Sequence, residues 1–236
     1  MSISVKNLSK TYGTQKAVDG ISFEASPGKI LGFLGPNGAG KSTTMKMLTC
    51  YLPQTSGSAT VSGFDISNQS LEVRKNIGYL PESNPLYHEM YVKEFLNFVG
   101  ETYHLKNLKS RVEEVILATG LSKEQHKKIG QLSKGYKQRV GLAQAIIHDP
   151  KVLILDEPTS GLDPNQLIEI RKLIKELGKT KTVILSTHIM QEVEAICEEV
   201  IIINKGKIVA NNSLKGLLEE HKEITLEPIF VKLTKE

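Results

Sequence analysis

The chain has 236 residues, of which 39% are hydrophobic and 24% are charged. That composition is typical of a globular protein and excludes a disordered or fibrous chain, and the length allows one large domain or two small ones. The net charge of +4 is compatible with an anionic ligand or a membrane surface, but it is too small to favour a nucleic-acid partner. We therefore expect no nucleic acid among its partners.

The sequence favours a cytoplasmic protein. Its apolar runs, such as Val200–Ile203, are far shorter than the about 20 residues that span a membrane. The first residues, MSISVKNLSK, contain no apolar segment of the kind found in a signal peptide. Cys50 and Cys197 lack metal-binding spacing, so we expect reduced, buried thiols. To act at the inner face of the cell membrane, as a peripheral protein, it would need a partner there.

Apolar residues predict several short strands over the first 80 residues. Pro27-Gly28 marks a turn between the second and third of them. The predicted strands are one around Ile3 and Val5, then Val18–Ala25, Ile30–Leu34, Ala59–Ile66 with Gly63 inside it, and Asn76–Leu80. The first two form an antiparallel β element ahead of the buried third strand.

The segment GPNGAGKST follows that third strand and matches the phosphate-binding pattern G-x-x-x-x-G-K-[ST]. Glycines let the backbone approach a polyphosphate and point N–H groups at it, and a helix beginning at Lys41 adds the positive end of its dipole. Lys41 can reach the β- and γ-phosphates of a nucleotide, and the Ser42 hydroxyl can bind Mg²⁺. The nucleotide-binding residues predicted here are Gly35, Pro36, Asn37, Gly38, Ala39, Gly40, Lys41, Ser42 and Thr43. The order of strand, loop and helix disfavours a chance glycine-rich turn.

The middle of the chain, from residue 83 to about residue 147, has a helical pattern. Apolar residues at helical spacing predict helices over Val92–Val99 and Val112–Thr119, and a third helix from about Ser133 to His148. Strands and helices then alternate again. The predicted elements are the strands Val152–Leu155 and Thr182–Thr187, a helix from Asp163-Pro164 to Gly178, a short helix over Ile189–Ile196, and a hairpin over Val200–Val209.

These elements predict a single domain over residues 1–236. Residues 1–82 and 151–210 form a sheet-based nucleotide core, and residues 83–150 form a helical insertion. Residues 211–236 form a short, weakly patterned tail, with a helical pattern at Leu214–His221 and an apolar stretch around Ile229–Leu233.

Polar residues follow two of the buried strands. Asp156 ends the strand Val152–Leu155, where parallel sheets place their ligand groups, and we expect it to hold Mg²⁺. Glu157 should point in a different direction, toward an attacking water; an ordinary exposed strand end is the alternative, which the phosphate loop disfavours. His188 follows the strand Thr182–Thr187, and its spacing fits a γ-phosphate contact and an ordinary histidine equally well.

The order of these motifs resembles that of ABC transporter ATPase subunits. That family carries a signature segment, usually LSGGQ, between the phosphate loop and the acidic strand. This chain has LSKGYKQ from Leu132 to Gln138, followed by LDEPTSGLD from Leu155 to Asp163, and the similarity runs from about Ile3 to Val209. The resemblance implies an α/β fold: a P-loop NTPase with a RecA-like core sheet, an N-terminal antiparallel β subdomain and an inserted α-helical subdomain.

The resemblance also implies roles for individual residues. Lys41, Glu157 and His188 would be catalytic, with Glu157 as general base and His188 as the switch residue. The Mg²⁺ ligands would be Ser42, Asp156 and Glu82. The remaining assignments are Tyr12 stacking on adenine, Val18 in the nucleotide-binding set, Ser133 and Gly135 on the γ-phosphate of a partner subunit, and Asp163 in communication across the dimer.

A helix N-terminus at Ser133 and Gly135 suits an anion, because the backbone N–H groups there are free to donate. If the helical insertion points away from the chain's own phosphate loop, that anion belongs to another subunit. The resemblance therefore implies two subunits, either two copies of this chain or one copy with a homologous ATPase subunit, that enclose two ATP molecules head to tail. ATP would hold the pair together, and hydrolysis would release it.

Two positions depart from the usual family pattern. The signature has Lys134 and Tyr136 where Gly and Gln are usual, and Glu82 stands where Gln usually contacts Mg²⁺ and relays its state to the membrane subunit. A carboxylate is a harder ligand than an amide and can still bind Mg²⁺. Both departures resemble those of export-type members, and GFLGPNGAGKSTTMKMLTCYLP and IGYLPESNPLY are especially similar to the gliding-motility-associated ATPase subunits. Those subunits often carry an extra C-terminal region, which we expect to be short or missing here because Leu226–Phe230 follows soon after Asn212.

We therefore expect the ATP-hydrolysing motor subunit of a transporter, driving a separate membrane permease. The alternative is a soluble ABC-type ATPase without a transport role, but such proteins usually have two cassettes or a long coiled coil. A P-loop kinase or GTPase is disfavoured by the signature, and the GTPase motif Asn-Lys-x-Asp is absent because Gly206-Lys207 follows Asn204-Lys205.

Overall fold

The computed structural model of the chain describes residues 2–235. The strands of these residues are β1 (Ile3–Tyr12), β2 (Gln15–Ala25), β3 (Ile30–Leu34), β4 (Ser56–Val61), β5 (Phe64–Asp65), β6 (Ile77–Leu80), β7 (Val152–Asp156), β8 (Thr182–Thr187), β9 (Glu199–Asn204) and β10 (Lys207–Ser213). The helices are α1 (Lys41–Leu48), α2 (Ser70–Asn76), α3 (Val92–Thr102), α4 (Leu108–Ala118), α5 (Lys134–Ile146), α6 (Pro164–Gly178), α7 (Met190–Ile196), α8 (Leu214–His221) and α9 (Leu226–Thr234).

The smaller sheet has the order β2-β1-β4-β5, and all its pairs are antiparallel. β1 and β2 form a long irregular hairpin, with Ile3 opposite Ala25 at one end and Tyr12 opposite Gln15 at the other. The prediction of one strand over residues 59–66 is wrong. Ser62 and Gly63 have φ angles of 51° and 86°, so the chain reverses there and β4 and β5 pair as a hairpin.

The larger sheet has the order β10-β9-β3-β8-β7-β6. The strands from β9 to β6 are parallel, and β10 pairs antiparallel with β9 at the edge. Every residue of β3, β7 and β8 is buried, as expected for strands covered on both faces. The α/β fold with an antiparallel β part and a helical part is therefore confirmed. The residue bounds predicted for the nucleotide core, the helical insertion and the tail stay a prediction.

The two faces of the larger sheet belong to two hydrophobic cores. Leu31 and Phe33 of β3 lie in a core with the smaller sheet and α1. Ile30 and Leu34, on the other face of the same strand, lie in a core with α3–α7. This three-layer arrangement fixes the carboxyl edge of β3, β7 and β8, from which the phosphate loop and the acidic residues emerge.

The helical prediction between residues 83 and 147 is only partly confirmed. Helices α3, α4 and α5 form where expected, with Ser133 as the N-cap of α5, but residues 81–91 contain no α-helix and include Pro81 and Pro85. Sequence analysis missed α2, which buries only Val73 and so has no apolar period to detect. It also gave no helix for the apolar stretch that forms α9.

The thiols are free, as expected, but only one is buried. Cys197 is 6% exposed, whereas Cys50 is half-buried, with its Sγ 3.3 Å from the Ile66 carbonyl oxygen. The predicted burial of Cys50 is therefore wrong, because the turn after α1 leaves its side chain at the edge of the core that the larger sheet shares with the smaller sheet and α1.

His148 joins the end of α5 to the larger sheet. Its Nε2 lies 3.0 Å from the Ile77 carbonyl oxygen, and its ring stacks on Tyr103, with centroids 3.9 Å apart and planes 3° apart. A carbonyl only accepts, so Nε2 carries the proton, and the buried Nδ1 has no hydrogen-bond partner within residues 2–235. Burial lowers the pKa of His148 from 6.5 to about 4, because a charged ring would lose its hydration there.

The free energy of unfolding should therefore decrease as the pH falls from 6.5 to about 4. In that window the unfolded chain protonates His148 and the folded chain does not, so acid favours the unfolded state. His148→Phe keeps a stacked ring that cannot titrate, and it should flatten this part of the profile in denaturant titrations at several pH values. His126→Gln, at an exposed histidine, is the control. Equal slopes for wild type and His148→Phe would contradict the prediction.

Candidate functional site

The phosphate-binding loop connects β3 to α1 under close steric constraint. A Cβ on Gly35 would lie 2.5 Å from the Ile203 carbonyl oxygen, and one on Gly40 would collide with the Ala17 carbonyl oxygen. Gly40 also has a φ of 106°, which side chains with a Cβ rarely adopt. Gly35 and Gly40 are thus required by the packing of the loop, whereas Gly38 has open space beside it and a φ of 78°.

Gly206, in the turn between β9 and β10, holds the loop from behind. Its N–H donates to the Ala39 carbonyl oxygen over 3.0 Å, and its own carbonyl accepts from the Asp19 N–H over 2.9 Å. The larger sheet, the loop and the smaller sheet are therefore hydrogen-bonded through one residue. The Ala39 carbonyl of the loop is thus bonded to a donor from the turn between β9 and β10.

Lys41 begins α1 and is only 6% exposed. Its Nζ donates to the Gly35 carbonyl over 2.7 Å and to the Pro36 carbonyl over 3.2 Å, and it lies 4.0 Å from Glu157 Oε1. Burial lowers the pKa of Lys41, while Glu157 and Asp156 oppose that shift through their charges. The ammonium is thus held across the loop, where an anion can replace its carbonyl partners.

Glu157 and His188 meet beside Lys41. His188 Nδ1 lies 2.9 Å from Glu157 Oε1, and the two residues follow neighbouring strands, β7 and β8. The Glu157 backbone has a φ of 51°, which turns its side chain away from the direction of Asp156. Burial raises the pKa of Glu157, and the neighbouring His188 and Lys41 act against that rise. A buried carboxylate with a raised pKa suits proton transfer.

Asp156 ends β7 and is 1% exposed. Its Oδ1 is buried and has no hydrogen-bond partner in the described part of the chain. A buried, unpaired carboxylate oxygen is costly unless a cation or donor meets it. Ser42 and Glu82 line the same cavity as Asp156, so oxygen ligands of the kind that Mg²⁺ prefers are grouped at this edge.

A pocket of about 320 Å³ lies in front of the loop. It brings together side chains and backbone from separate segments of the chain, and those predicted from the sequence are Asn37, Gly38, Gly40, Lys41, Ser42, Thr43, Glu82, Glu157 and His188. Sequence analysis missed Ala17 and Ser160, which also line it. Neither is a residue type that marks a site; only the packing of β2 against Gly40 and the turn after Glu157 place them there.

Eight predicted residues do not line this pocket: Gly35, Pro36 and Ala39 of the loop, Asp156 at the end of β7, and four residues from other segments. Tyr12 is 49% exposed at the end of β1, and Val18 is fully buried against Gly40. Ser133 is exposed, and as N-cap of α5 its Oγ accepts from the Tyr136 N–H. Gly135 is buried under the Gln166 side chain. Their contacts with nucleotide stay predictions.

Over the described residues, no helix has the length and apolar character needed to cross a membrane. The family model described as "ABC transporter" matches residues 18–160. The uncharacterized ABC transporter ATP-binding protein YxlF of Bacillus subtilis is 40% identical over 99% of this chain and 77% of its own length. The Nod factor export ATP-binding protein I of a Rhizobium species is 36% identical over 98% and 77% of the two chains.

A solved structure described as the ATP-binding subunit of an ABC transporter superposes with a TM-score of 0.91 at 28% identity, covering all of both chains. The fold, the phosphate loop and the matched sequence thus agree. The chain belongs to the ABC transporter family, as an ATP-binding subunit with ATPase activity.

Proposed function

We propose that this subunit powers export: two copies bind ATP between them, and its hydrolysis drives a separate membrane permease. The observation that carries the proposal is the meeting of Lys41, Glu157 and His188 in front of the phosphate loop. They come from three segments that converge because β3, β8 and β7 are adjacent strands.

In the proposed reaction, a water oxygen bonds to the γ-phosphorus of ATP while the bond from that phosphorus to the β,γ-bridging oxygen breaks. The water passes a proton to the Glu157 carboxylate, whose raised pKa makes it a stronger base than an exposed glutamate. Lys41 exchanges its two carbonyl partners for phosphate oxygens. His188 holds Glu157 through Nδ1 and presents the rest of its ring to the γ-phosphate.

Ser42 and Asp156, with Glu82 on the cavity wall, would hold Mg²⁺. The unpaired, buried Oδ1 of Asp156 supports this assignment, because a cation would satisfy it. When bound, the ion would neutralise charge on the phosphate oxygens.

The second copy would supply Ser133 and Gly135 to the γ-phosphate. Support comes from their place outside the chain's own pocket and from the first turn of α5, which contains no acidic residue to repel an anion. Tyr12, exposed on β1, would stack on the adenine. With these contributions each ATP would be enclosed by both subunits, on the cytoplasmic side of the membrane.

A cleft of about 710 Å³ is the surface proposed for the permease. Ser42, Asp156 and Glu82 line its inner part, and Tyr87 and Phe98, which are 58% and 43% exposed, line its rim. A permease segment seated there would sense the metal and phosphate site through Glu82. The relative named for Nod factor export supports the direction of transport.

Lys41→Ala should weaken MgATP binding about a hundredfold, since it removes a buried cation that makes charge-assisted hydrogen bonds with phosphate. Isothermal titration calorimetry on the purified chain measures this. Lys46→Ala, an exposed lysine on the same helix, is the matched control and should bind normally. Normal MgATP affinity in Lys41→Ala would rule out the proposed phosphate contact.

Glu157→Gln should lower kcat for ATP hydrolysis by about 10²- to 10⁴-fold, as expected for loss of a general base. ATP should still bind, so the variant should elute as an ATP-dependent dimer from a sizing column. The wild-type kcat should fall in acid at a higher pH than an ordinary glutamate, of pKa 4.5, would give, because the base acts only when deprotonated. Glu101→Gln, at an exposed site, is the control; wild-type turnover in Glu157→Gln would place the base elsewhere.

Phe98→Ser should reduce co-purification of the permease from mild detergent extracts without changing the ATPase rate of the isolated chain. The substitution removes an aromatic surface from the rim of the cleft. Leu117→Ser, at an apolar residue on α4 that is 74% exposed and outside the cleft, is the matched control. Failure of any membrane protein to co-purify with wild type would favour the soluble, non-transport ATPase instead.

A further inference from the structure

A buried glutamate lies behind the proposed catalytic residues and has no part in the mechanism so far. Glu192, on α7, is 0% exposed, and each of its carboxylate oxygens accepts a hydrogen bond from a threonine hydroxyl. Thr159 donates to Oε1, and Thr187 donates to Oε2 over 2.9 Å. Both threonines are buried, at 3% and 0% exposure, so water does not substitute for either contact.

The Thr187 hydroxyl lies between two carboxylates. Its Oγ1 is 2.9 Å from Glu192 Oε2 and 3.5 Å from Glu157 Oε2, and it also accepts from the Ile189 N–H over 3.1 Å. A hydroxyl has a single proton to donate. The shorter distance assigns that proton to Glu192, which leaves Glu157 Oε2 without it.

The two oxygens of Glu157 are consequently different. Oε1 faces His188 at 2.9 Å and Lys41 at 4.0 Å, whereas Oε2 faces the oxygen of a hydroxyl whose proton points elsewhere. A carboxylate oxygen that accepts a strong hydrogen bond is a weaker base than one that does not. Oε2 is thus the oxygen of Glu157 whose basicity is not lowered by a donated hydrogen bond.

We propose that Glu192 is a positioning residue for ATP hydrolysis, which draws the Thr187 hydroxyl proton away from Glu157 so that Glu157 remains an effective base. This inference rests on the proposed role of Glu157. The second hydrogen bond, from Thr159, ties the turn after Glu157 to the same carboxylate, so β7, β8 and α7 hold one geometry around the base.

Glu192→Gln tests the proposal, because an amide can donate to Thr187. The Thr187 hydroxyl then has Glu157 Oε2 as its nearby acceptor, and a new hydrogen bond to the base should lower kcat about ten- to hundredfold. The Kd for ATP, measured by calorimetry, should change less than about twofold, since Glu192 lies behind the pocket rather than on its wall. Glu194→Gln on the same helix is the matched control and should keep the wild-type kcat.

A double-mutant cycle separates this role from a general structural one. The kcat cost of Glu192→Gln should persist in a Thr187→Ser background, which keeps a hydroxyl, and should disappear in a Thr187→Val background, which has no proton to redirect. An equal cost in both backgrounds, or no cost in the single variant, would overturn the proposal.

The assignment of Glu157 as the base and the role of Glu192 can fail separately. Glu157→Gln in the same assays distinguishes a failure of the base assignment from a failure of the role proposed for Glu192. If it keeps wild-type turnover, the base assignment fails and this inference with it. If it loses turnover while Glu192→Gln does not, only the role of Glu192 fails.

Discussion

The site depends on one constraint: carbonyl groups of the phosphate loop must find hydrogen-bond donors elsewhere in the fold. The Gly206 N–H donates to the Ala39 carbonyl, and the Gly206 carbonyl accepts from the Asp19 N–H in the smaller sheet. The Lys41 ammonium donates to two further carbonyls of the loop, those of Gly35 and Pro36. In the proposed mechanism an arriving phosphate would replace the lysine contacts, while the contact with Gly206 would remain. Gly40, with its positive φ, is packed against Ala17 of the smaller sheet and Ile203 of the larger one.

The strand order of the larger sheet brings the proposed catalytic residues to this loop. Because β3, β8 and β7 are parallel neighbours, their carboxyl ends present Lys41, His188 and Glu157 at one edge although more than a hundred residues separate the first from the others. Burial then shifts the pKa values of two of these groups. It lowers the pKa of Lys41 and raises that of Glu157, because burial makes the charged form of each less stable than it would be in water. Mutual attraction at 4.0 Å offsets part of that cost, and it links Lys41 directly to Glu157, the proposed base.

Sequence patterns predicted the elements that depend on a few adjacent residues, and they missed the features that depend on tertiary packing. The phosphate loop, the buried strands and the N-cap at Ser133 each follow from a few adjacent residues, and the structure has the strands and the cap where they were expected. The hairpin at Ser62–Gly63 and helix α2 were missed because positive φ angles and a single buried Val73 leave little periodic signal. Ala17 and Ser160 entered the pocket, and Glu192 came to lie behind it, only through tertiary contacts. A buried glutamate on a short helix looks, in sequence, like an ordinary polar position.

In a single chain, side chains cover the part of the signature segment that is proposed to contact the partner's nucleotide. Gln166, from the first turn of α6, lies against Gly135, and the Lys134 side chain lies over Gly161 in the turn that follows Glu157. An anion approaching the N-terminus of α5 from a second subunit would have to replace the Gln166 side chain and would draw Lys134 toward itself. Gly161 has a φ of 72° and belongs to the segment that joins the base to the N-cap of α6. In the proposed dimer, a partner's nucleotide bound there would thus change the contacts of the turn after Glu157, and it would couple the two ATP sites through side chains already in contact.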